Sequence, residues 1–224
     1  MECKLKGYDF KILEIILDPG ETFYAERGAL IYLESGVDKS VEFGKTAGSI
    51  IQSKLSGEAF FLVKFNNVSN VRKKMVVAGK VGVLPIKIDN TRVMCRRGAY
   101  IASTTKMNLG LKISVSSILG GAGLLQRIDG NGTVFLDSYG MPIEVDLGYN
   151  ETIEVDENNL IALVGIEEHQ LDASWSVGNM LHGEGLSLLR ITGPGKVFIN
   201  PQHIYGKSIN KIIIYEKTPS IFPR

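Results

Sequence analysis

The chain has 224 residues, enough for one large domain or two small ones, and enough to bury a core without disulfides or a structural metal. Its 25 Lys and Arg residues nearly balance its 24 Asp and Glu residues, and the net charge of +1 argues against a protein that binds DNA through a basic field. Glycine is abundant at 25 residues, whereas there are only 3 His and 2 Cys residues, so turns are frequent and common catalytic side chains are scarce.

The N-terminal residues predict a soluble, cytoplasmic protein. Residues 1–6 mix acidic and basic side chains and no apolar stretch follows them, unlike a secretory signal. The longest uncharged stretch of interest, residues 113–126, is shorter than the about 20 residues that a membrane-spanning helix needs. Cys3 and Cys95 are expected to be free thiols, because two cysteines in a chain of this size do not make a disulfide framework.

Alternation of apolar and polar residues recurs along the chain and predicts β-strands with one buried face. The clearest alternating segments are 59–65, 142–147 and 152–156. Short apolar runs bounded by glycine, asparagine or charge predict central strands. These runs are 29–33, 160–164 and 212–215.

Turn signals separate the predicted strands. Glycine-rich reversals at 129–132 and 193–195 predict tight hairpins. Short helices are predicted only near 49–55 and 167–175, and neither has a convincing apolar stripe. The chain is therefore predicted to be all-β.

Several sequence blocks recur three times in the same order. Leu-x-Gly blocks begin at Leu55, Leu119 and Leu181, and Gly-x-Val motifs follow them at Gly79, Gly132 and Gly195. The longer gap in the first copy predicts an insertion near 66–76. A unit of about 55–70 residues cannot hide its apolar face alone, so the copies are expected to stack around a pseudo-symmetric axis.

These blocks predict a single all-β domain over residues 1–224, built of stacked sheets. Its three pseudo-symmetric internal repeats are predicted at about 10–84, 85–137 and 142–200, with a C-terminal extension at 201–224.

Motifs spread over most of the chain resemble the altered-inheritance-of-mitochondria family, number twenty-four. They include Gly28-Ala29-Leu30, Arg97-Gly98-Ala99-Tyr100, Asp137-Ser138-Tyr139-Gly140 and Gly183-Glu184-Gly185-Leu186. The resemblance implies a fold similar to the tryptophan RNA-binding attenuator protein, a short double-stranded β-helix, together with a tendency to oligomerise. It also implies a protein of unassigned activity, and it supplies no catalytic residue.

A metal site is weakly predicted at Glu167, His169 and Asp172, which offer oxygen and nitrogen ligands within a few positions. Residues two apart on a strand share a face, so Glu167 and His169 are the pair that could bind together. The alternative interpretation is a solvated acidic turn. No His-x-His pair of the cupin type occurs, and no cofactor is predicted.

The basic triplet Arg72, Lys73 and Lys74 is the only candidate for RNA contact, since a ring would display it several times. No aromatic stacking pattern accompanies it, so a solvated loop is the favoured interpretation. Cys95 lies beside two arginines, which permits a reactive thiol, but a buried strand cysteine is favoured.

The segment from Met107 to Leu125 is strongly apolar, and the sequence leaves open whether it belongs to the core or to an interface between protomers or with a membrane surface. The leading prediction is a non-enzymatic structural or interaction protein, an oligomeric scaffold acting at membranes or in protein assemblies. A homo-oligomer is expected, with a trimer favoured. The alternatives are a small-ligand or metal-binding β-barrel and an RNA-binding ring.

Overall fold

The computed structural model describes residues 1–7, 10–42, 62–113, 124–174 and 188–201. Within these ranges the regular structure consists of β-strands and two single-turn 3-10 helices, so the prediction of an all-β fold is confirmed. None of the helical residues in these ranges belongs to a helix long and apolar enough to cross a membrane.

After an N-terminal strand, β1 (Glu2–Lys6), the strands of the described ranges form three successive segments of six. The first segment contains β2 (Ile12–Leu17), β3 (Thr22–Glu26), β4 (Leu30–Leu33), β5 (Val37–Glu42), β6 (Leu62–Asn67) and β7 (Lys73–Ala78). The second contains β8 (Gly82–Ile88), β9 (Val93–Arg96), β10 (Tyr100–Ser103), β11 (Asn108–Ile113), β12 (Leu124–Asp129) and β13 (Gly132–Ser138). The third contains β14 (Ile143–Leu147), β15 (Thr152–Asp156), β16 (Leu160–Val164), β17 (Leu171–Ser174), β18 (Leu188–Thr192) and β19 (Gly195–Ile199).

The same antiparallel pairing pattern occurs in each segment. The sixth strand pairs with the first and third, and the fifth strand pairs with the second and fourth. The third strand carries a register shift at the same place in every segment, directly after Leu30, Tyr100 or Leu160. These shifts give a structural alignment of the segments that is independent of sequence similarity.

Strands of neighbouring segments also pair with each other. β10 pairs with β3, and β16 pairs with β9, so each junction joins the third strand of one segment to the second strand of the preceding one. The result is two six-stranded sheets, ordered β5-β6-β3-β10-β13-β8 and β11-β12-β9-β16-β19-β14. Two smaller sheets remain, β1-β2-β7-β4 and β15-β18-β17.

The buried side chains form three apolar clusters. One surrounds Phe23 and Met75, the second surrounds Cys95 and Ile128, and the third surrounds Leu163 and Ile191. Each six-stranded sheet contributes to two of these clusters, because successive residues of a strand point to opposite faces of the sheet: Phe135 belongs to the first cluster and Leu136 to the second.

The structure corrects the alignment of the first repeat. Lys73 lies opposite Leu17 in the same way that Gly132 lies opposite Ile88 and Gly195 lies opposite Leu147. The motif at Gly79 is therefore not the counterpart of the later Gly-x-Val motifs. The predicted insertion near 66–76 is present but short: five residues separate β6 from β7, whereas two separate β12 from β13 and β18 from β19.

Local predictions had different outcomes. At 129–132 a tight two-residue turn joins β12 to β13, as predicted, but the two strands lie in different sheets and do not form a hairpin. The same holds for the reversal at 193–195 between β18 and β19. In place of the helix at 167–175 there is a 3-10 turn, Glu168–Gln170, followed by β17. The predicted helix at 49–55 and the strand at 212–215 lie outside the described residues.

Candidate interaction site

The outer edge of β4 exposes large apolar side chains. Ile31 is 62% exposed and Tyr32 is 46% exposed. The sequence predicted a central strand at 29–33, but β4 is the last strand of its sheet within the described part of the chain. Among the described strands β4 pairs only with β7, so the predicted central position is not found in this sheet.

The corresponding residues of the other segments are buried. Counting from the shared register shift, Ile31 corresponds to Ile101 and Ile161, which are 3% and 1% exposed. Ala102 and Ala162, the counterparts of Tyr32, are also buried. The difference follows from the strand pairing, since β10 and β16 are covered by a neighbouring segment whereas no described strand covers β4.

The backbone of β4 directs hydrogen-bonding groups away from the protein. The N–H of Glu34 donates to the carbonyl of Lys74 at 3.0 Å, which makes these two residues a hydrogen-bonded pair. Pairing alternates along an antiparallel ladder, so the N–H and C=O of Leu33 point towards the open edge. Its counterpart Ser103 points in the same direction and meets Tyr24 of β3.

The outer edge of β15 has a complementary position in the fold. β15 is the second strand of the third segment, the role that β3 and β9 have at the two internal junctions. The N–H of Gly193 donates to the carbonyl of Glu151 at 2.8 Å, so by the same alternation Glu154 directs its backbone groups outwards. The Glu154 side chain accepts a hydrogen bond from Arg190 at 2.9 Å on the exposed face.

The predicted metal ligands are not brought together. Glu167 forms an ion pair with Arg92 and a capping box with Gln170, His169 lies in the 3-10 turn, and Asp172 lies in β17. Among the residues that the structure describes, no group of three His, Cys, Asp or Glu side chains is close enough to hold a metal ion.

The basic triplet lies only partly in a loop, since Arg72 ends the connection between β6 and β7. Lys73 and Lys74 are the first residues of β7. Arg72 donates through Nε to Asp18 at 2.6 Å and through Nη1 to Glu2 at 3.1 Å, and these acids raise the pKa of the guanidinium. Lys74 lies 3.5 Å from Glu14.

Both cysteines are free thiols, as predicted. Cys95 is buried in β9, and desolvation raises its pKa to about 12, so the structure supports a buried strand cysteine. Burial raises the pKa of Cys3 to about 11. Met107 and Leu125, the ends of the apolar segment, are buried, whereas residues 114–123 lie outside the description.

Sequence reasoning missed a buried polar cluster. Asp137 accepts a hydrogen bond from the backbone N–H of Lys80 at 2.8 Å, and desolvation raises the pKa of this carboxyl. The Arg96 guanidinium lies 5.8 Å from the centre of the Tyr139 ring, and the N–H of Tyr139 donates to Asn200 at 2.9 Å. The residues of this cluster are far apart in sequence, and only the folded chain brings them into contact.

Sequence reasoning also missed the open edges at Leu33 and Glu154. The apolar pattern of residues 29–33 predicted a central strand and gave no sign that β4 would be exposed in this structure. The unusual exposure of Ile31 becomes evident only when Ile31 is compared with Ile101 and Ile161, and that comparison requires the segments to be aligned by strand pairing.

Comparisons with known proteins identify relatives of the whole fold. A family model described as mitochondrial biogenesis AIM24 matches residues 3–202. An uncharacterised protein of Streptococcus pyogenes serotype M6 is 21% identical over 173 residues, which are 70% of this chain and 67% of that protein. A crystal structure of a Streptococcus pyogenes protein is similar with a TM-score of 0.67 and 21% identity, covering 90% of this chain and 94% of that one, and it supports the fold alone.

Proposed function

The chain belongs to the mitochondrial biogenesis AIM24 family, and from this premise we propose that it is a non-enzymatic structural protein that works as a homo-oligomer. Its role is to provide a scaffold for protein assemblies. A trimer is the favoured state.

The observation that carries this proposal is the exposure of Ile31. Its counterparts at both internal junctions are almost completely buried, whereas Ile31 is 62% exposed. An apolar strand edge whose backbone groups meet no described strand is a surface that proteins normally cover. Covering it with another copy of the chain would give Ile31 the environment of Ile101.

The polar features of the chain favour this function over the alternatives. RNA binding needs basic side chains available to phosphate, whereas Arg72 and Lys74 are engaged by acidic residues. A reactive thiol needs a lowered pKa, whereas the pKa of Cys95 is raised.

The proposal is tested by size-exclusion chromatography with multi-angle light scattering across micromolar concentrations. The expected mass is a multiple of the 24.5 kDa chain mass, three copies being favoured. The variant Ile31→Lys is expected to shift the mass towards a single chain while its far-ultraviolet circular dichroism is retained. Met141→Lys is the matched control, because Met141 is also exposed but lies in the connection between β13 and β14, next to neither β4 nor β15 in sequence. A monodisperse single chain for the unmodified protein would overturn the proposal.

A further inference from the structure

We infer that the interface between copies is formed by β4 of one chain and β15 of the next, paired antiparallel with Leu33 opposite Glu154. This inference rests on the proposed homo-oligomer and names its contact surface. The partner is a second copy of this chain, joined head to tail.

The sheet composition provides the first argument. Each six-stranded sheet contains three strands of one segment and three of the next, joined at β3–β10 or β9–β16. The sheets ending in β4 and β15 are the two corresponding halves that remain unjoined among the described strands. Pairing β15 with β4 would give the order β17-β18-β15-β4-β7-β2, followed by β1, which repeats the arrangement of the two complete sheets.

The registers of the internal junctions provide the second argument. Ala102 pairs with Ala25 and Ser103 with Tyr24 at one junction, and Ala162 pairs with Cys95 and Leu163 with Met94 at the other. In every segment the third strand begins four residues after the second strand ends. The same register therefore places Tyr32 opposite Val155 and Leu33 opposite Glu154.

The direction of the backbone groups agrees with this register. Leu33 and Glu154 each turn their N–H and C=O groups away from their own sheets, as the bonds of Glu34 and Gly193 show. When the backbone groups of two opposed residues in antiparallel strands point at each other, the two residues exchange two hydrogen bonds. A slip by one residue would oppose an outward-facing residue with an inward-facing one, so the register is specified.

Other strand ends do not give a comparable prediction. β5, β11 and β17 share one role, and in none of the three segments does another described strand pair with their outer edge. The second and third strand positions behave differently. Among the described strands they pair across a junction twice, as β3–β10 and β9–β16, and the remaining third strand β4 and second strand β15 have no such partner. The contact is heterologous, because different surfaces of the two copies meet, so successive copies form a closed ring if the rotation closes.

The inference is tested by disulfide cross-linking between co-expressed single variants, Tyr32→Cys and Val155→Cys, in a Cys3→Ser background. The flanking pair Tyr32 and Val155 would be non-hydrogen-bonded, with Cα atoms about 4.5 Å apart, a distance that a disulfide can bridge. The expected result is a covalent dimer of the two variants after mild oxidation. Each variant alone should give none, because a heterologous interface brings no residue against itself.

Co-expressed Tyr32→Cys and Met141→Cys provide the matched control for random collisions, since Met141 is exposed outside the strand edges. Light scattering on the same samples separates the two claims. An oligomer without the Tyr32–Val155 cross-link would overturn this inference and leave the proposed function standing. A single-chain mass overturns the proposed function itself. A cross-link formed within one chain of the Tyr32→Cys, Val155→Cys double variant would also overturn the inference.

Discussion

Gln126 lies directly opposite Cys95 in the pair of strands β9 and β12, and neither Oε1 nor Nε2 of its fully buried amide has a hydrogen-bond partner among the residues that the structure describes. Directly opposed residues share a face of the sheet, and Cys95 belongs to an apolar cluster. The corresponding residues in the other segments, Val63 and Leu189, are apolar.

The variant Gln126→Leu is therefore expected to raise the free energy of unfolding by about 1–2 kcal/mol, because it removes an unsatisfied buried amide and keeps a similar volume. Urea denaturation followed by circular dichroism measures the change. Asn67→Ala is the contrasting variant, since Asn67 is equally buried but donates to Leu17 and Val71 at 3.0 and 2.8 Å. Asn67→Ala should lower the free energy of unfolding by about 2–4 kcal/mol, because it removes both hydrogen bonds. A loss of stability in Gln126→Leu would contradict the assignment of an unsatisfied amide.

The buried carboxyl of Asp137 predicts a pH dependence of stability. Burial raises its folded-state pKa above the usual 3.8, so the folded state holds its proton more tightly than the unfolded state. The stabilising effect of this proton is complete below the unfolded-state pKa and is lost as the pH rises through the folded-state pKa. Asp137→Asn, which keeps an acceptor for the N–H of Lys80, should lose stability less steeply over that interval. Urea midpoints measured across the acidic range test this, and identical slopes for the two proteins would refute it.

Cys95 is expected to resist alkylation in the folded protein. At about pH 8 a thiol with a pKa of about 12 is almost entirely protonated, and the side chain is also buried. Cys3 is half-buried and should react sooner. Iodoacetamide labelling followed by peptide mass spectrometry distinguishes the two sites, and labelling in guanidinium chloride provides the control in which both react. Rapid labelling of native Cys95 would restore the reactive-thiol hypothesis.

Gly195 and Gly20 both have positive φ angles, but only Gly195 is also crowded. A Cβ atom at Gly195 would lie 2.8 Å from the carbonyl oxygen of Val164, whereas one at Gly20 would meet nothing within 4 Å. Gly20→Ala should therefore cost about 1–2 kcal/mol from backbone strain alone. Gly195→Ala should cost more, about 3–5 kcal/mol, because the neighbouring β16 backbone at Val164 must also shift. Equal losses of stability for the two variants in thermal denaturation would contradict a contribution from crowding at Gly195.

The sequence predicted the class of the fold and many of its strands, because alternation and turn residues are local signals. β16 was correctly placed as a central strand, and the chain pairs it on both sides. The equally apolar run of β4 was interpreted in the same way but has one partner. Hydrophobicity alone therefore does not distinguish a central strand from an exposed edge strand.

The alignment of the repeats and the buried polar residues could not be obtained from sequence. The similarity of Gly79-Lys80-Val81 to later motifs placed it at the start of a strand, whereas strand pairing assigns that position to Lys73. The hydrogen bonds of Asp137 and Tyr139 could not be predicted from their family motif, because their partners Lys80 and Asn200 are distant in sequence.

Hydrogen exchange at the backbone amides of Leu33 and Glu154 tests the central claim most directly, since both N–H groups face an edge that only a second copy is proposed to cover. Residue-resolved exchange in the unmodified protein is predicted to show both amides as protected as their counterparts Ser103 and Tyr24, which pair inside the chain. Protection should fall on dilution below the concentration at which the oligomer dissociates. Rapid exchange at Leu33 and Glu154 in the oligomer, with Ser103 and Tyr24 protected, would contradict pairing between β4 and β15.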